Sequence, residues 1–204
     1  MNNTKNFNDD REAVLSAVGD SFPAPATVSA PAAPSPVGDM TEHFMSAVGE
    51  NDATVERLSD ENAIVGAAAA YLRSRELPLQ LVCTPEWQHL NWRAAGIDAE
   101  VRAPVGDDIC GLTGVAAAAA DCGAMLLRGD NSEQLTASLL PPHHLAVVRA
   151  ADIFASLSDM LARHRPPGMI ALSCGPSRTA DIEQTLTLGV HGPLSVHVLI
   201  LPAE

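Results

Sequence analysis

The sequence predicts a three-layer α/β domain built around a mainly parallel sheet, and three observations carry that prediction. Short apolar runs recur at residues 79–83, 124–127, 143–148, 169–172 and 195–201, each brief and apolar enough to be a buried strand. Between them lie segments whose apolar residues fall at helical spacing, such as Ile64, Val65, Ala68 and Leu72. The two kinds of segment alternate along most of the chain, as they do where crossover helices join parallel strands.

The 204 residues suffice for one domain with a full core plus a tail. Apolar residues make up 47% of the chain, much of it alanine, and aromatics only 3%, so packing must rest on Leu, Val, Ile and Ala. A formal net charge of -13 without any basic cluster argues against nucleic-acid binding. It also disfavours an exposed anionic substrate unless arginines are gathered locally. No apolar run reaches the length of a membrane span, and the N-terminus leads into polar sequence rather than a signal core, so a cytoplasmic protein is expected. Cys83, Cys110, Cys122 and Cys174 are far apart, with no Cys-x-x-Cys pair. That spacing points away from zinc and from a ligated iron–sulfur cluster and toward reduced thiols, so neither metal nor cofactor is expected.

Taken in order, residues 9–18 suit a short helix with Val14, Leu15 and Val18 on one side. Residues 21–38 are rich in Pro, Ala and Ser and bury too little to fold alone. Residues 1–38 therefore read as an arm, either a disordered tail or a helix docked through a linker, and the domain proper as 39–204. A helix over 39–48 has Phe44, Met45 and Val48 as its apolar side. A short edge strand is expected near 53–55, and a helix over 61–74 capped by Ser59 or Asp60. Strand 79–83 leads into a short helix at 87–91, with Trp87 and Trp92 packed on the sheet, and a short strand follows at 99–101. Residues 111–120 read as an alanine-rich helix capped by Thr113. Strand 124–127, a further short strand at 135–139 and strand 143–148 come next. A helix from 151 or 152 to about 164 then turns Ile153, Leu157, Met160 and Leu161 inward, and strands 169–172 and 195–201 complete the set.

Residues 174–183 read Cys-Gly-Pro-Ser-Arg-Thr-Ala-Asp-Ile-Glu, between strand 169–172 and a helix-like segment that runs to about Leu188. Gly175 and Pro176 force a turn. Ser177 or Thr179 can cap the helix, and Asp181 and Glu183 suit the positive end of its dipole. Free N–H groups at a helix start, with the planar donor fork of Arg178, make a small carboxylate or phosphate the expected ligand. The structural alternative pairs Arg178 with Asp181 or Glu183 and leaves only a capped connection.

The run 175–183, followed by Leu188-Gly189-Val190-His191-Gly192-Pro193, resembles the C-terminal signature of the LUD-domain family, and within it the lactate utilisation protein C branch (LutC/YkgG-like). The resemblance extends from about Met40 to Leu201. It implies the NagB/RpiA/CoA-transferase-like fold, a Rossmann-like variant. It also implies a subunit, without its own iron–sulfur cluster, of a system that oxidises L-lactate to pyruvate with iron–sulfur protein subunits as partners. Asp121, in Ala120-Asp121-Cys122-Gly123-Ala124, lies where the family carries glutamate in an Ala-Glu-Thr-Gly-Thr pattern. Transferases of this fold use a glutamate nucleophile, which makes Asp121 a candidate catalytic residue, with a loop cap as its alternative role.

Ligands of open α/β sheets gather outside the carboxyl ends of the strands. Three loops are expected there: 175–179, the surroundings of Asp121, and 141–144. The candidate ligand-binding residues are Ser177, Arg178, Thr179, Asp181, Glu183, Asp121 and His143. His143 and His144, adjacent on a strand, point to opposite faces and make a poor chelating pair. Cys122 beside Asp121 should have a raised thiol pKa and be no nucleophile. An alternative function is a free-standing transferase or isomerase acting on a CoA ester or phosphorylated substrate, with Asp121 or Glu183 as the working carboxylate and Arg178 as the anion site.

Overall fold

The computed structural model describes residues 11–12, 15–16, 38–129, 132–164, 169–179 and 187–203. Contacts divide the chain into Met1–Ala33 and Pro34–Glu204, and the elements below belong to the second unit. The expected arm, and with it most of the 9–18 helix, lies outside the described residues. In chain order the elements are α1 (Met40–Glu50), β1 (Thr54–Arg57), α2 (Ala63–Ser74), β2 (Gln80–Cys83), β3 (Asp98–Val101), β4 (Cys110–Gly114), β5 (Ala117–Ala119) and β6 (Ala124–Arg128). They continue with α3 (Ser132–Leu139), β7 (His143–Arg149), β8 (Ile153–Phe154), α4 (Leu157–Arg163), β9 (Ile170–Ser173), β10 (Arg178–Thr179), β11 (Thr187–Leu188) and β12 (Ser195–Leu201).

Six strands form a parallel sheet in the order β1-β12-β7-β4-β2-β3. Its central strands are apolar on both faces, because both faces are covered. Along β7, Leu145 and Val147 join the cluster under α2 with Ile64, Leu72, Trp87 and Trp92. Ala146 and Val148 join the opposite cluster with Phe44 and Val48 of α1. Asp39 caps α1, its Oδ1 accepting from Thr41 N at 2.8 Å, whereas Asp60 Oδ1 accepts from Asn62 N at 2.8 Å in the turn before α2, whose own N-cap Asn62 makes no side-chain cap bond. From β2 the chain moves outward to β3, then crosses back to β4 on the other side of β2, and β7 and β12 continue in that direction. Succession therefore reverses between β2 and β4, the topological switch point where a crevice opens at the carboxyl ends.

A second sheet, β8-β5-β6-β9, corrects the expected alanine-rich helix. Residues 111–120 instead supply most of β4 and all of β5. Ala117, Ala118 and Ala119 are fully buried. Ala117 and Ala119 pack toward Met160 of α4, whereas Ala118 packs into the core shared with α1. The alternation is that of a strand, and backbone pairing to β6 and β8 on its two edges outweighs alanine's helical preference. Gly111 belongs to the same logic: a Cβ there would collide with the Ala137 carbonyl oxygen, so α3 rests directly on β4.

Three further expectations are revised. Residues 135–139, expected as a strand, lie in α3, with Leu135, Ala137 and Ser138 buried. The helix expected from 151 or 152 begins only at Leu157, because Ile153 and Phe154 first pair with Ala118 and Ala119; Ser156 then caps it, its Oγ accepting from Asp159 N at 3.1 Å. Where a helix is expected to start at Ser177 or Thr179, Arg178 and Thr179 pair antiparallel with Leu188 and Thr187, and residues 180–186 of that expected helix lie outside the described residues. Strand β9, which precedes that segment, pairs antiparallel with β6 and is not part of the parallel sheet.

Candidate functional site

A cleft of about 560 Å³ opens at the switch point. Its walls come from residues that follow the carboxyl ends of successive parallel strands: Glu61 after β1, Glu86 and Trp87 after β2, Gly114 and Val115 at the end of β4, and Arg149 and Asp152 at and after β7. Arg128, Gln134 and His164 complete the polar lining. The size is that of a site for a small molecule.

Glu86 is held in place at the centre of this arrangement. Its Oε1 accepts from the Gly114 N–H at 2.7 Å and from the buried Thr84 hydroxyl at 3.0 Å. A Cβ at Gly114 would collide with Oε1, so only glycine lets the carboxylate settle on the end of β4. Gln134 donates from Nε2 to the Gly114 carbonyl at 2.7 Å, fixing the same peptide from its other side. Trp87 is buried, and its indole N–H has no hydrogen-bond partner among the described residues. Across the cleft, Arg149 pairs with Glu61, and His89 approaches the other oxygen of Glu61 at 3.3 Å. The Arg149 hydrogen bond is the main reason the Glu61 carboxyl is held below its usual range. Two arginines and three carboxylates thus face one crevice, which suits a ligand carrying both an anionic group and hydrogen-bond donors.

Those residues singled out in the sequence that the structure describes lie elsewhere. Arg178 pairs with Asp52 and donates to the Asn51 carbonyl at 2.8 Å, both at the C-terminal end of α1. Ser177 N–H donates to the Pro193 carbonyl at 2.8 Å and the Ser177 carbonyl accepts from Gly189 N at 2.9 Å, so the two halves of the signature hold each other. Thr179 lies in β10, while Asp181 and Glu183 lie outside the described residues. Asp121 accepts from Leu157 N at 3.1 Å, at the start of α4. Asn51 Nδ2 donates to the Cys122 carbonyl at 2.9 Å, so the Asp121 and Arg178 loops meet through Asn51, beside the amino end of β1. His143 begins β7, at the sheet's amino end, where its Nδ1 lies 2.9 Å from the Tyr71 hydroxyl; burial lowers its pKa. His144, on the opposite face, is fully buried with Nε2 at 2.9 Å from the Thr113 hydroxyl. Cys122 is pushed up to about 11, chiefly by burial, with Asp121 adding to the shift.

Fold and crevice define the class: an α/β protein with a cleft at the carboxyl ends of a parallel sheet. The LUD domain matches residues 83–201, and the chain belongs to that family. Among curated relatives, a lactate utilization protein C of Shouchella clausii is 33% identical over 90 residues, covering 40% of this chain and 39% of its own. A lactate utilization protein C of a Geobacillus species is 28% identical over 146 residues, covering 63% and 58% respectively. An uncharacterized protein of Neisseria meningitidis serogroup B is 34% identical over 98 residues, covering 45% and 42%. The match thus spans 39% to 58% of the length of these relatives. The crystal structure of a DUF162 family protein from Deinococcus radiodurans superposes with a TM-score of 0.55 at 20% identity, covering 81% of this chain and 99% of that one, a likeness of fold. No helix among the described residues is long and apolar enough to cross a membrane.

Proposed function

We propose that this chain is a cytoplasmic component of a lactate-oxidising system, binding a small organic acid in the cleft at the carboxyl ends of β2, β4 and β7 while iron–sulfur partner subunits carry the electrons. The observation that supports this reading best is the gathering of Arg128, Arg149, Glu61 and Glu86 at the sheet's switch point in a chain that carries the LUD domain. In a chain of net charge -13 an anion needs positive charge gathered locally, and Arg128 and Arg149 supply it here beside Glu61, Glu86 and Asp152. Electron transfer is assigned to partners because Cys83, Cys110, Cys122 and Cys174 are widely separated, without the closely spaced cysteines that iron–sulfur clusters use.

A second reading keeps an anion site at residues 175–183, with Ser177, Arg178, Thr179, Asp181 and Glu183. Its support is the exposure of the Asp52 carboxylate that Arg178 now holds, 74%, which leaves that partner open to exchange for a ligand. The transferase alternative would need Asp121 to leave the start of α4 if Asp121 is its carboxylate; its other candidate, Glu183, lies outside the described residues. Affinity purification of the tagged chain from cells grown on lactate tests the main reading. Co-purifying iron–sulfur proteins are expected, whereas a chain that elutes alone and turns over a CoA ester would overturn it.

A further inference from the structure

Glu86 is fixed through one oxygen only. Both the Gly114 N–H and the Thr84 hydroxyl donate to Oε1, and among the described residues Oε2 carries no hydrogen bond although Glu86 lines the cleft. An ionised carboxylate offers acceptors alone, and the guanidiniums of Arg128 and Arg149 in the same cleft offer donors alone. A ligand complementary to both presents a carboxylate to an arginine and a hydroxyl donor to Glu86. Its 2-oxo counterpart keeps the carboxylate but turns an acceptor toward an acceptor, leaving both without a proton.

We propose that Glu86 makes the cleft selective for 2-hydroxy carboxylates over 2-oxo carboxylates, its Oε2 accepting from the ligand hydroxyl while an arginine of the cleft takes the ligand carboxylate. The inference rests on the reading of the cleft as the ligand site and adds to it the discriminating atom. In a system that converts a hydroxy acid to an oxo acid, such a cleft holds the substrate and releases the product.

Calorimetric titration of the full chain with L-lactate and with pyruvate tests it, using wild type, Glu86→Gln and the double variant Arg128→Gln, Arg149→Gln. Wild type should bind L-lactate about ten- to hundredfold more tightly than pyruvate, the range a charge-assisted hydrogen bond supplies. In Glu86→Gln the amide oxygen keeps the Gly114 and Thr84 bonds and the NH₂ takes the place of Oε2. The melting temperature should hold, and the preference should turn toward pyruvate, whose carbonyl accepts from that NH₂. Equal binding of the two acids by wild type, or an unchanged ratio in Glu86→Gln, overturns the role of Glu86. If the arginine variant has then lost affinity for both acids, the cleft still stands as the binding site. No binding of either acid to wild type, or undiminished binding in the arginine variant, overturns the cleft reading and the selectivity together.

Discussion

Asp121 shows how far a single residue can be read from its neighbours. In the sequence it is either a working acid or a loop cap, and the deciding partner, Leu157 N, is 36 residues away. Its carboxylate receives the first free N–H of α4, so Asp121→Ala should cost about 0.5–2 kcal/mol, the usual worth of such a cap. Denaturant unfolding measures it, and no loss would return Asp121 to the pool of chemical candidates. Arg178 was equally opaque. Local reasoning pairs it with Asp181 or Glu183, which lie outside the described residues, whereas among those described its carboxylate partner is Asp52, 126 residues earlier. Exposed ion pairs contribute little, about 0.2–1 kcal/mol. Arg178→Ala should lower the melting temperature only slightly and leave affinity for L-lactate unchanged. A collapse of affinity in that variant would favour the signature loop over the cleft.

At the scale of elements, the strands buried on both faces were legible as short apolar runs such as Leu145 to Val148, but their partners were not, since the equally buried Ala124 to Leu127 pairs antiparallel in the second sheet. The alanine run was not legible. Composition favours helix there, and what decides for strand is pairing to β6 and β8, partners that only the assembled fold supplies. The pairing of Arg178 and Thr179 was hidden for the same reason, since their partners Leu188 and Thr187 stand at the far end of the segment that suggested a helix. Close packing of α3 on β4 gives an element-scale prediction. Gly111→Ala forces a methyl group against the Ala137 carbonyl oxygen and should cost at least the ~1–3 kcal/mol of an overpacked core. Amide exchange should quicken through α3, and unchanged exchange would mean that the helix does not rest there.

At the scale of the molecule, burial in the sheet makes stability depend on pH. His144 is pushed from its ordinary 6.5 down to about 4 because burial penalises its charged form. Between those values the unfolded chain binds a proton that the folded one refuses. The contribution is therefore whole above 6.5 and is lost as the pH falls toward about 4. Carboxylates such as Asp108, held below its usual 3.8 by Arg102, add their loss only at lower pH. Melting curves of wild type should fall across the His144 window and those of His144→Leu should fall less; parallel curves would contradict this account. The cleft belongs to this scale too. Glu61, Glu86, Gly114 and Arg149 end or follow four separate strands, and the rule that ligands sit at the switch point points to them only once strand order is known. The sequence pointed instead to its most unusual motif, whose described residues Ser177 and Arg178 lie at the sheet's amino end. The measurement that bears most directly on the central claim is an amide chemical-shift titration of the isotope-labelled full chain with L-lactate. The account predicts saturable shifts at Gly114, Val115, Ala116 and Arg149, with Ser177, Arg178 and Gly189 unmoved. Shifts concentrated at Ser177, Arg178 and Gly189 while the cleft amides stay still would contradict it.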